Sequence, residues 1–158
     1  MSEKVLCFAY GSNMCSHRMK SRAPSAEFYR IARKSGKTLV FNKRSCDDSA
    51  KANLASDKDG KVWGVLYCLD FIDLGKLDAC ESGYTRELTE VVDSMNEAVS
   101  AFVYLSSKLT KDIRPYDWYK ELVVEGAKEH KLPSEYIRFL ETFKSKPDLD
   151  PKRGSKCC

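Results

Sequence analysis

Read for apolar and polar positions, the chain opens on a short apolar run, Leu6-Cys7-Phe8-Ala9-Tyr10, that leads straight into Gly11-Ser12-Asn13. The pattern predicts a strand, a glycine turn and a short helix over 14–21. That helix stops ahead of Pro24, because a residue preceding proline avoids the α region. Apolar positions in 27–32 and 38–41 predict two strands parted by a turn at 34–37. Residues 42–51 are polar and read as a loop. A short strand at 53–55 then meets Asp57-Lys58-Asp59-Gly60, where Asp and Gly suit the positive φ of a hairpin turn. The nearly all-apolar run at 62–69 reads as a strand buried on both faces.

Asp70 is placed to cap a helix over 70–80. Strands at 84–92 and 98–105 follow, joined by a turn at 94–96. Trp118, Leu122, Val123 and Ala127 recur at helical spacing over 118–128. Pro133 opens a last helix, where its missing N–H costs nothing, and Phe139 and Leu140 supply that helix's apolar face. Strands with a few helices predict an α+β fold, a small mixed or antiparallel β-barrel with helices packed outside. The pattern implies a single domain over residues 1–145. A basic tail over 146–158 has no apolar periodicity and reads as mobile.

Composition narrows the class without choosing a function. The 158 residues are 42% hydrophobic and 32% charged, ordinary values for one globular domain with a real core. The start, Met-Ser-Glu-Lys, has no signal-peptide pattern, and no apolar run is long enough to span a bilayer, so a cytoplasmic protein is expected. Seven cysteines, an odd number without paired spacing, read as reduced thiols. His17 and His130 stand far apart with no metal-ligand spacing, and no metal is expected. Residues 14–44 carry nine Lys or Arg against one acid, Glu27. This surplus reads as a solvated surface. It could steer an anionic substrate, but no nucleic-acid partner is expected.

Two features carry chemistry. A strand, a glycine and the start of a helix together make a cradle for a carboxylate or phosphate: glycine brings no Cβ and tolerates positive φ, and Ser12 and Asn13 suit a helix N-cap. An ordinary strand-to-helix turn has the same pattern. The second feature is Glu81, which continues the i, i+3, i+7 stripe of Leu74 and Leu77 ahead of Ser82-Gly83. A carboxylate so placed is partly buried at the negative end of a helix, and both circumstances raise its pKa. A Glu tuned upward can exchange protons near neutral pH; a Glu at a frayed helix end, bent out to water, is the alternative.

Phe8-Ala9-Tyr10-Gly11-Ser12-Asn13-Met14, Val62-Trp63-Gly64-Val65, Glu81, Gly126-Ala127-Lys128-Glu129-His130 and Leu132-Pro133-Ser134-Glu135-Tyr136 together resemble the gamma-glutamylcyclotransferases, in order and over roughly residues 5–145. The resemblance implies a compact barrel, often a homodimer. It implies a cofactor-free conversion of gamma-glutamyl amino acids into 5-oxoproline and the free amino acid. Glu81 would be the acid–base, and Cys7, Phe8, Ala9, Tyr10, Gly11 and Ser12 would hold the substrate. Tyr119 matches a pocket tyrosine, and Tyr104 is a further candidate. Met14 stands where the family has Leu, Cys7 where an aromatic is common, and the segment after Glu81 is shorter than the family form. Related readings are a cyclotransferase acting on glutathione or on gamma-glutamyl-amine isopeptides, and a non-catalytic binding module. The terminal Cys157-Cys158 is not a C-a-a-X box. Beside Lys152, Arg153 and Lys156 it leaves lipidation as an alternative to an exposed thiol pair, and no membrane association is expected of the domain.

Overall fold

A computed structural model, which describes residues 3–150, forms β1 (Lys4–Ala9) from the opening apolar run. A single 3₁₀ turn (Ser12–Met14) and α1 (Ser16–Arg22) follow. Two long strands, β2 (Glu27–Arg44) and β3 (Ala50–Asp70), pair antiparallel over most of their length. After α2 (Asp73–Cys80) come β4 (Thr85–Asp93) and β5 (Ala98–Leu105), and the chain ends in α3 (Asp117–Glu129) and α4 (Ser134–Glu141). The strands close into a barrel in the order β1-β3-β2-β4-β5. All neighbours are antiparallel except β1 and β5, which meet in parallel at Cys7 and Phe102. The expected α+β barrel with helices outside is the fold observed.

Two expected turns are not chain reversals. Lys34 pairs with Val62 and Ser35 with Lys61, and past the break Lys37 pairs with Ser56 and Thr38 with Ala55. The same two strands therefore continue on both sides of residues 57–60, which bulge out opposite Gly36 (φ +81°). A bulge asks for the same residues as a turn. Gly60 is needed because a Cβ there would strike the Lys37 carbonyl oxygen. The true reversal lies at 45–49, inside the expected loop, where Asp47 accepts from the Ser49 N–H and hydroxyl.

Asp70 does not cap a helix: β3 runs through it, and its carboxylate pairs with Lys4 at 2.6 Å. The helix starts at Asp73 instead. That carboxylate accepts from the Ser25 hydroxyl (2.6 Å) and N–H (2.9 Å), tying α2 to the segment between α1 and β2. Ser25's hydroxyl, with Lys76, holds the Asp73 carboxyl down to about 2. In α4 the buried residues are Tyr136 and Leu140, while Phe139 is half-exposed against Tyr136 and Phe143.

One continuous core joins the barrel to its helices through Phe8, Met14, Met19, Leu66, Tyr67, Leu74 and Leu77, all buried. Met14 is wholly enclosed, worth about 1.5–3 kcal/mol of apolar burial. Of the tail expected from 146, Lys146 bonds the Pro115 carbonyl and Asp148 accepts from the Trp118 indole at 2.8 Å. Residues 151–158, with Cys157 and Cys158, lie outside the described residues. No described helix is long and apolar enough to cross a membrane.

Candidate active site

The end of β1 and the turn after it form one wall of a small niche. Cys7, Phe8, Ala9, Tyr10, Gly11 and Ser12 line it, together with Glu81, Tyr104 and Tyr119. Every residue that the sequence put forward for the site is thus gathered in one place, along with Asn13, Ala52 and Tyr84.

The turn is held from below. The Met14 carbonyl accepts from the Tyr67 hydroxyl at 2.8 Å and from His130 Nε2 at 3.0 Å. Gly126 of α3 lies so close that a Cβ there would meet Met14 Cβ at 2.7 Å and the Cys15 nitrogen at 2.8 Å. The Gly-Ala-Lys-Glu-His segment therefore serves the site by letting α3 press against the turn. Gly11 has φ −115°, so positive φ is not its reason for being glycine. It is small because a Cβ would come within 3.1 Å of the Ala52 methyl and 3.6 Å of the Tyr119 hydroxyl. Nor do Ser12 and Asn13 cap α1, which starts four and three residues later with no side-chain cap. Their side chains are spent elsewhere: Ser12 Oγ accepts from Arg18 Nε at 3.0 Å, and Asn13 Nδ2 donates to Glu81 Oε1 at 2.5 Å.

Glu81 ends α2 on the stripe of Leu74 and Leu77, with its side chain 13% exposed. Burial raises its carboxyl above the ordinary glutamate range, against the pull of Arg22, Asn13, Arg18 and Lys43. Arg22 Nη1 is 3.4 Å from Oε1 and also donates to Asn13 Oδ1 at 3.1 Å. The carboxylate is thus oriented by an amide and a guanidinium while the low-dielectric wall keeps it from ionising early.

Tyrosines complete the wall. The Tyr119 hydroxyl accepts the Ala52 N–H at 3.1 Å, and the Tyr84 hydroxyl donates to the Ala52 carbonyl at 2.6 Å. Tyr10 donates to the Tyr104 carbonyl at 2.6 Å, and the Tyr104 hydroxyl is turned to Asp78. Burial pushes the Cys7 thiol up to about 12, which leaves it protonated at neutral pH. Outside the niche lies a cavity of about 850 Å³ that shares Ser12, Glu81, Tyr84 and Tyr119 with it. Arg18, Arg22, Lys43, Arg44, Lys51 and Lys108 line it, against Glu81 and Asp48. The basic surplus of 14–44 is therefore not all solvated surface. Arg18, Arg22 and Arg44 line this cavity, and Lys43 is buried in its side.

The comparisons with known proteins bear on what this arrangement is. The AIG2-like family model matches residues 61–140. Gamma-glutamylcyclotransferase of Bos taurus is 32% identical over 151 residues, covering 89% of this chain and 79% of that one. The chain belongs to the gamma-glutamylcyclotransferase family. The Homo sapiens gamma-glutamylcyclotransferase is likewise 32% identical over 150 residues, with the same coverage. A solved gamma-glutamyl cyclotransferase superposes with a TM-score of 0.85 at 28% identity, over 93% of this chain and 92% of the other. A yeast gamma-glutamyl cyclotransferase specific to glutathione shares the fold at a TM-score of 0.68 and 14% identity, over 89% of this chain and 94% of that one. Within this family member, sequence reasoning missed Tyr84, Ala52 and the Asn13–Arg22–Glu81 cluster. Tyr84 alone left a local signal, as an aromatic directly after Glu81-Ser82-Gly83.

Proposed function

We propose that this chain is a gamma-glutamylcyclotransferase that closes gamma-glutamyl amino acids into 5-oxoproline and releases the free amino acid. The observation that carries the reading is a buried glutamate of raised pKa facing a glycine-walled niche. The substrate's own α-amine is the nucleophile. It attacks the γ-carbonyl carbon, a five-membered ring forms, and the bond to the second amino acid's nitrogen breaks. Both reacting groups belong to one molecule, so holding the folded-back conformer is worth effective molarities of about 10⁵ M or more.

What remains is proton traffic. Glu81 takes a proton from the substrate ammonium and returns it to the departing nitrogen, and the second ammonium proton follows as the tetrahedral adduct collapses. A carboxyl of raised pKa suits both halves of that exchange. Main-chain N–H groups of Gly11 and Ser12, at the niche wall, are suited to the oxyanion or to the substrate's carboxylate. Tyr119 and Tyr84 line the same niche. The described free thiols of Cys7, Cys15, Cys46, Cys68 and Cys80 fit a reducing, cytoplasmic setting.

The test is 5-oxoproline release from gamma-glutamyl-alanine, with glutathione and a gamma-glutamyl-lysine isopeptide in parallel. Glu81→Gln is expected to lower release by at least about 10²-fold while gamma-glutamyl-alanine still binds. A variant that turned over near the normal rate would remove Glu81 from the mechanism.

A further inference from the structure

Lys43 stands out among the cations of the outer cavity. It lies near the end of β2 and is only 7% exposed, a rare degree of burial for a lysine. Its Nζ sits 5.1 Å from the centre of the Tyr84 ring. Among the described residues no ion pair or side-chain hydrogen bond holds that ammonium. Its neighbours are otherwise engaged: Arg22 is turned to Asn13 and Glu81, Arg18 donates to Ser12, and Lys51 is paired with Asp47 at 3.2 Å. Burial holds the Lys43 ammonium below the ordinary lysine range, with Glu81, Lys108 and Asp47 as its charged surroundings. The space it occupies is kept by Gly83 (φ +86°), where a Cβ would come within 2.9 Å of Nζ.

The Lys43 stem is packed away while the residue lines the outer cavity, so its ammonium is placed to take a carboxylate from a molecule bound there. Resting on the cyclotransferase reading, we propose that Lys43 binds the α-carboxylate of the departing amino acid, so that gamma-glutamyl amino acids are substrates and gamma-glutamyl alkylamines are rejected. The chemistry of the leaving group fits the position. Its nitrogen must face Glu81 to receive a proton, and its carboxyl carbon is only two bonds further on. Glu81 and Lys43 line the same cavity and act on each other's charge. A plain alkylamine would leave the ammonium buried and unpaired in the bound complex. A missing polar partner of that kind discriminates far better than a missing methyl group.

The test compares gamma-glutamyl-alanine with gamma-glutamyl-ethylamide, which lacks only that carboxylate and the chirality it brings. With the wild-type protein kcat/KM for the alanine compound is expected to exceed that for the ethylamide by about tenfold or more. Lys43→Met should bring the ratio to within about threefold of parity, and Lys43→Arg should keep most of it. A wild type without the preference, or a Lys43→Met variant that retains it, overturns the proposal. Thermal melting of both variants checks the fold; if Lys43→Met does not fold, the wild-type ratio and the arginine variant decide. Binding of the two compounds by calorimetry separates this inference from the reaction it rests on. Carboxylate-dependent binding without turnover keeps Lys43 and sinks the cyclisation. Absence of binding sinks both.

Discussion

Glu81 accepts from Asn13 and lies 3.4 Å from Arg22, yet its carboxyl stays above the usual range because burial outweighs both contacts. That balance has a readable consequence. In the proposed reaction the first proton transfer needs Glu81 ionised, so the acid limb of kcat/KM is expected to fall as pH drops through its pKa. Arg22 favours the charged form, and Arg22→Met should raise that pKa further and carry the limb to higher pH. Activity would then fall more in mildly acidic than in mildly alkaline buffer. A limb that stays put, or moves down, would dissociate Arg22 from the titration. Glu81 and residues 7–12 were legible in the sequence because their signals are local: an apolar stripe ended by a carboxylate, and a glycine directly after a strand. Arg22 was not, since its partner is 59 residues away and only the closed barrel brings them together.

At the level of elements, the site depends on α3 touching the Ser12–Met14 turn through Gly126. Gly126→Ala places a Cβ against the main chain of Cys15 and the side chain of Met14, neither of which can swing aside. It should destabilise the protein by about 1–3 kcal/mol, lowering Tm by several degrees. It should also lower kcat/KM, because the displaced turn carries the niche. An unchanged Tm with unchanged turnover would show that the helix does not brace the turn. The helix at 118–128, read from its periodicity, and the strand at 98–105 lie close to the observed elements. The long hairpin was not. Asp57-Lys58-Asp59-Gly60 has turn chemistry, but residues that permit positive φ or close approach serve a bulge equally well, and only pairing on both sides tells the two apart. Asp70 has the chemistry of a cap as well, but the helix starts at Asp73, whose carboxylate is held by Ser25, 48 residues before it.

Across the whole molecule, charge is distributed unevenly in a way that a net value of +4 conceals. Six cations face two carboxylates in the outer cavity, and an anionic substrate arriving there is drawn in by their summed field. Raising ionic strength from about 0.05 M to about 0.5 M should therefore lower kcat/KM for gamma-glutamyl-alanine several-fold, since screening shortens the reach of that field. A rate indifferent to salt would confine the cations to static contacts. Closure of the barrel has its own bearing on how the niche can change. The hydroxyls of Tyr84 and Tyr119 both hang from the peptide groups of Ala52, one on its carbonyl and one on its N–H. Apart from proline, which would remove the N–H that Tyr119 accepts, no exchange of side chain at that position can release them. A larger residue there would instead press on Gly11 and shrink the hollow, while the two rings kept their posts. Such a design lets mutation alter the room available to a ligand while the anchorage of its walls stays written in strand register.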